Sequence, residues 1–143
     1  RQHGYERVLS DHGIPVSPEM HLRGDFSFES GQRAFGKILE MPEKERPTAL
    51  FAASDMMALG FMRSAFRHEF PIPDCISLVG FDDIFLASVV NPPLTTVRHP
   101  YIRMGEAAMK HMARKLKPDT YLPEGEPLQN SLIVRETTAG CCR

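Results

Sequence analysis

Long apolar runs are missing from this 143-residue chain: nothing approaches the ~18 consecutive apolar residues that cross a bilayer. The opening stretch, RQHGYERVLS, also lacks the apolar centre of a signal peptide. Both absences point to a soluble, untargeted segment with no membrane partner. An excess of one charge is missing too. The 17 Lys and Arg nearly balance the 18 Asp and Glu, giving a net charge of -1, and the cations are scattered. The broad basic face of a nucleic-acid surface is therefore not there, and direct DNA binding by this segment is not expected. Cysteine is scarce, with Cys75 inside the chain and the adjacent pair Cys141 and Cys142 at the tail. That spacing makes neither a metal site nor a disulfide framework, and it fits a reducing cytosol. The tail pair reads as incidental thiols.

Catalytic signatures are lacking as well. There is no Gly-x-Ser-x-Gly elbow and no phosphate-cradling glycine loop followed by Lys-Ser or Lys-Thr. His3, His12, His21, His68, His99 and His111 never fall at the helical spacing that puts two metal ligands on one face. Asp82-Asp83 has no third carboxylate or partner lysine placed to complete a magnesium or phospho-acceptor site. The expectation is a protein that is not an enzyme and carries neither a metal nor a cofactor.

What is present is an ordinary globular composition, 42% hydrophobic and 24% charged, in one domain's length of chain. Tyr5, Val8 and Leu9 share a helical face over 2–12, and Gly13 is placed to stop that helix. Residues 20–24 read as a short strand. Ser27 or Ser30 caps a helix over 29–41, which Pro42 ends. The continuous apolar run 48–53 has the character of a strand buried on both faces. Ser54 or Asp55 caps the next helix, 56–69, and Pro71 and Pro73 close it. A strand over 75–81, a short helix over 84–90, a β-prone run over 94–98, a helix over 101–116, a Pro- and Glu-rich loop over 118–127 and a last strand over 128–135 follow. Strands alternating with helices make this an α/β fold with an open, mainly parallel sheet and helices on both faces.

Ligands of open α/β sheets sit at the strand ends. Asp82 follows an apolar run and a glycine, so its carboxylate is either a hydrogen-bond acceptor at the mouth of a cleft or a cap for the short helix after it. Ser54 and Asp55 form a second polar corner with the same two readings, and capping is favoured for Asp55. Phe26, after a third strand end, either stacks on a ring ligand or belongs to the core. Arg1 either offers its fork of donors to the cleft or is solvated. The helix 56–69 carries more apolar side chains than one core-facing stripe needs. Leu59, Phe61, Met62 and Phe66, with Val89 and Val90, are therefore candidates for a subunit contact, against the alternative of a helix buried between two layers.

Several linked motifs then point to a family. Gly24-Asp25-Phe26 with Glu29-Ser30-Gly31, the run PTALFAASDMMALG, Pro73 followed by ISLVGFDD, NPPLTTVRHP, the helix start at Met104-Gly105 and the closing LIVRETTA occur in order. Together they resemble the effector-binding core of the LacI/GalR transcriptional regulators across nearly the whole chain. The resemblance implies a periplasmic-binding-protein-like type I fold: two α/β subdomains with a small-molecule effector between them. It matches Arg1 to the family's pocket arginine, Phe26 to its stacking aromatic, Asp82 to its ligand-binding aspartate and Asp55 to its neighbouring aspartate. Ser54 replaces the asparagine of many sugar-responsive members. With Phe26, that departure is similar to members sensing nucleosides, purines or ribose-type sugars.

The same resemblance implies that the helix-turn-helix headpiece, the hinge helix, most of the first subdomain and the strand opening the second one are not in this chain. Residues 1–95 and 128–139 are then expected to form part of the C-terminal subdomain, and 101–116 a helix belonging on the N-terminal one. Left without its central strand, the sheet is expected to have two unpaired edges and an exposed core face. The implied function is the effector-binding and dimerising portion of a cytoplasmic LacI-type repressor, a homodimer that meets operator DNA only through the headpiece. A solute-binding protein of a sugar transporter shares the fold and is the alternative.

Overall fold

The computed structural model describes residues 1–116 and 128–140. The loop 118–127, Cys141 and Cys142 lie outside the described residues. Among the described residues, five α-helices, α1 (Gln2–Asp11), α2 (Phe28–Glu40), α3 (Asp55–Arg67), α4 (Phe85–Val89) and α5 (Tyr101–Leu116), accompany four strands, β1 (Ala49–Phe51), β2 (Ser77–Asp82), β3 (Thr95–Arg98) and β4 (Ser131–Ile133). The strands lie in the order β1-β2-β3-β4; β1, β2 and β3 are parallel and β4 is antiparallel to β3.

Register fixes the two faces of the sheet. Leu50 pairs with Leu78 and Phe51 with Val79, so Leu50, Ala52, Leu78 and Gly80 face one side and Phe51, Val79 and Phe81 the other. The first side is covered by α2 and α3, whose Phe35, Ile38, Ala58, Leu59, Phe61, Met62 and Ala65 form the core with Ile76, Leu78 and Leu94. Phe35 meets the edges of Phe61 at 5.2 Å and Phe70 at 5.6 Å. Both helices start on a serine cap: the Ser30 N–H donates to Ser27 Oγ at 3.0 Å, and the Met57 N–H to Ser54 Oγ at 3.3 Å. They cross at Gly31 and Gly60, where a Cβ would overlap the backbone carbonyls of Met57 and Phe28. On the second side α1 stands across an open groove and buries none of its residues.

Three expectations need correction. Residues 20–24 form no strand: a 3-10 turn at Pro18–Met20 leads into a stretch outside every ladder. A strand needs a partner, and among the described residues β1 is hydrogen-bonded along one edge only, to β2. For the same reason β1 is not buried on both faces; Ala49 and Phe51 are exposed. The surplus apolar face of α3 is largely core. Leu59, Phe61 and Met62 pack inside this chain, because α2 lies along them, and so cannot form a free subunit contact. Of the other candidates, Phe66 is 76% exposed, Val89 is exposed, and Val90 is half-buried against the core.

The antiparallel return is stitched in by buried threonines. Thr137 Oγ1 donates to the Leu78 carbonyl at 2.7 Å and accepts from the Thr95 N–H at 2.9 Å. Through β3 and β4 the sheet carries α5, none of whose residues is buried.

Candidate functional site

The carboxyl end of β2 turns sharply. Asp82 has φ 122° and Asp83 φ 54°, left-handed values that cost about 1–3 kcal/mol each in a residue with a side chain. Such a corner persists only where its surroundings hold it, and here several groups do. Asp55, at the start of α3 and fully buried, accepts from the Ile84 N–H at 2.9 Å and from the Thr96 hydroxyl at 2.5 Å. Gly80 leaves room for that carboxylate, which a Cβ would strike. Asp83 takes Arg98 Nε at 2.5 Å and Arg135 Nη2 at 2.6 Å. Burial pushes the Asp83 carboxyl up, but hydrogen bonds and charge from Arg135 and Arg98 outweigh it and hold it below the usual carboxylate range. The Tyr101 hydroxyl donates to the Asp82 carbonyl at 3.0 Å. Desolvation, then the charges of Asp82 and Asp55, raise that phenol above its ordinary value, so it stays a donor at neutral pH.

So held, Asp82 presents its side chain beside Arg1. Arg1 Nη2 lies 3.2 Å from Asp82 Oδ1, and Arg1 Nη1 donates to the Ala53 carbonyl just past the end of β1. The guanidinium carbon sits 3.8 Å from the Phe81 ring centroid and 5.8 Å from that of Phe26. His99 meets Phe81 edge-on at 4.6 Å, and its Nε2 is 3.8 Å from Asp82 Oδ1. Its Nδ1 is 3.0 Å from Asn130 Oδ1. Phe26, at φ 63°, is 59% exposed. The corner therefore combines a carboxylate acceptor, a fork of donors and aromatic faces, a set suited to a ring that carries hydroxyl or N–H groups.

Arg1, Phe26 and Asp82 thus come together as the sequence suggested. Ser54 and Asp55 do not join them as free groups. Ser54 is buried, caps α3 and donates to the Phe26 carbonyl at 3.5 Å. Asp55 spends both oxygens on Ile84 and Thr96, so it builds the corner instead of offering itself to a ligand. Asp83 is a paired carboxylate, and α4 has no side-chain cap. Sequence reasoning missed Phe81, His99 and Tyr101. The alternation of β2 carried a signal for Phe81, which falls on the face opposite Leu78. His99 and Tyr101 looked like a strand stop and a helix start. An open groove of about 510 Å³ adjoins the corner, lined by Arg1, Gly4, Tyr5, Val8, Phe51 and Phe81. It shares Arg1 and Phe81 with the corner but not Asp82, and its apolar lining suits packing more than polar recognition. Among the described residues no group of three His, Cys, Asp or Glu side chains is placed to hold a metal ion.

The periplasmic binding protein-like domain matches residues 1–138. The chain belongs to that family. It is 37% identical over 139 residues to the HTH-type transcriptional repressor CytR of Escherichia coli K12, covering 96% of this chain and 40% of that protein. A regulatory protein of the LacI family from Chloroflexus aggregans superposes with a TM-score of 0.86 at 28% identity, covering 97% of this chain and 50% of that one. A LacI family transcriptional regulator from Lactobacillus casei, crystallised with bound sucrose, superposes with a TM-score of 0.82 at 25% identity, covering 96% and 50%. The chain spans about two fifths of the length of the curated relative. The resemblance to LacI-type cores and the periplasmic-binding-protein-like fold both hold, and these relatives are regulators, neither transporter components nor enzymes by name. Among the described residues no helix is long and apolar enough to cross a membrane.

Proposed function

We propose that this chain is one wall of the effector cleft of a LacI-type transcriptional repressor, in which Asp82, Arg1 and Phe26 contact a small ring ligand. The observation that carries the reading is the Asp82 corner: a left-handed strand end, held by buried groups, that aims a carboxylate beside a guanidinium flanked by aromatic rings. The regulator relatives support a repressor over a transporter component. Phe26 and Ser54 favour a nucleoside, purine or ribose-type sugar as ligand. Residues 1–95 and 128–139 form the C-terminal subdomain in this reading. In the same reading α5 belongs on the N-terminal one, which its lack of any buried residue here supports. The intact protein is a cytoplasmic homodimer that meets operator DNA through a separate headpiece. The ligand shifts its shape only by binding one closure state better than the other.

The test is calorimetry on the full-length natural protein with adenosine, cytidine, hypoxanthine and ribose, followed by Asp82→Ala with whichever binds. Loss of a hydrogen bond to a charged group, about 1.5–3 kcal/mol, weakens binding by about 10- to 150-fold. An affinity unchanged within threefold, or no binding by any of the four, refutes the assignment.

A further inference from the structure

Asp83 differs from the groups at the ligand corner because its side chain is 6% exposed and meets two arginines, one at the end of β3 and one just past β4. Arg98 closes β3, by which the chain leaves the sheet for α5. Arg135 follows β4, by which it returns. The two strands form one antiparallel ribbon, with Arg98 opposite Ser131 and Thr96 opposite Ile133. One carboxylate spans that ribbon: Oδ2 takes Arg98 Nε at 2.5 Å and Oδ1 takes Arg135 Nη2 at 2.6 Å. Arg135 also donates to the Leu94 carbonyl at 2.7 Å, which anchors it to the start of β3. The residue before Asp83 is Asp82, whose carbonyl is held by Tyr101 in the first turn of α5.

We propose that Asp83 is a positioning residue that couples the Asp82 corner to the direction in which residues 101–116 leave the sheet. A tilt of the ribbon draws Arg98 and Arg135 along, and both bonds end on one carboxylate. The 82–83 peptide must then turn, carrying the Asp82 side chain with it and loosening the Tyr101 bond. Run in reverse, a ligand that fixes Asp82 fixes the ribbon. The functional meaning rests on Asp82 as the ligand contact; the mechanical tie does not.

Hydrogen–deuterium exchange on the ligand-free full-length natural protein tests the tie. Asp83→Asn keeps the shape and removes the charge. Exchange is expected to rise at least about tenfold in 95–98 and 131–135, with α2 and α3 unchanged. In the same variant the Tyr101 phenol, followed by carbon-13 NMR, is expected to titrate closer to its ordinary value, a change that a tie between strands alone would not produce. Ribbon exchange within twofold of wild type, a rise shared equally by α2 and α3, or an unmoved Tyr101 overturns the proposal. If Asp83→Asn does not fold, Arg98→Gln, at a side chain that is 53% exposed, serves in its place. It is expected to raise the same ribbon exchange about threefold, and no rise overturns the proposal. No ligand is in the sample, so flat exchange leaves the Asp82 reading standing, and a failed ligand test leaves the exchange result standing.

Discussion

Removing the Asp55 carboxylate should cost more than any surface change in this fold. It is fully buried and accepts two hydrogen bonds, from the Ile84 N–H and the Thr96 hydroxyl. Bonds to a charged acceptor contribute about 1.5–3 kcal/mol each, while discharging a buried group returns part of that as relieved desolvation. Asp55→Ala leaves the buried Thr96 hydroxyl and the half-buried Ile84 N–H without this partner and a gap over Gly80, so a loss of about 3–5 kcal/mol is expected. Asp55→Asn is milder. Its amide oxygen still accepts from Ile84 and its NH₂ can donate to Thr96 Oγ1, which leaves a loss of about 1–2 kcal/mol. Asp74→Ala, at an exposed position, is the control and should fall within about 0.5 kcal/mol of wild type. Urea denaturation of the full-length natural protein, followed by circular dichroism, measures all three. If Asp55→Ala and Asp55→Asn both lie within about 1 kcal/mol of wild type, Asp55 acts only as a first-turn acid on the α3 dipole, and the buried-brace reasoning fails.

Two further outcomes follow from the same structure. The Asp83 carboxyl is held below its unfolded value, so its stabilisation is complete above the unfolded pKa of about 4 and is lost as pH falls through the lower folded value. Acid denaturation followed from pH 5 to 2 should therefore steepen in wild type and flatten in Asp83→Asn; parallel curves would show that the two arginines do not shift this group. Phe66 is 76% exposed, so Phe66→Glu should leave monomer stability unchanged and, if α3 contributes this residue to a homodimer contact, dissociate the dimer in sedimentation velocity. An unaltered profile would place the contact elsewhere.

The helices were legible because their signals are local. Ser27 and Ser54 cap α2 and α3 by bonds to amides three residues on, and Pro42 and Pro71 lie past the ends. The parallel order of β1, β2 and β3 followed from the alternation of elements. What could not be read depended on distant chain. Residues 20–24 can be extended, but a strand exists only through its neighbour, and among the described residues β1 is paired on one edge. Leu59, Phe61 and Met62 looked like a surplus because the breadth of the α2 contact depends on Gly60 in α3 meeting Gly31 in α2, a pairing that α3 alone does not disclose.

The candidate site shows the limit most clearly in its two acids. Asp55 and Asp82 each follow an apolar strand with a small residue shortly before them, and a strand-end rule treats them alike. Their fates divide on what comes next. Asp55 opens a 13-residue helix, and its first-turn side chain swings back to the sheet, where Thr96 and the Ile84 amide are waiting. After Asp82 no helix forms until Phe85, and Asp83 takes a left-handed turn that Arg98 and Arg135 hold in place. The carboxylate of Asp82 is thereby left facing Arg1. An acid that begins a long helix tends to be used by the fold, whereas one followed by a braced left-handed corner is left over for a ligand. Asp83, whose two arginine partners come from distant chain, is what separates the two.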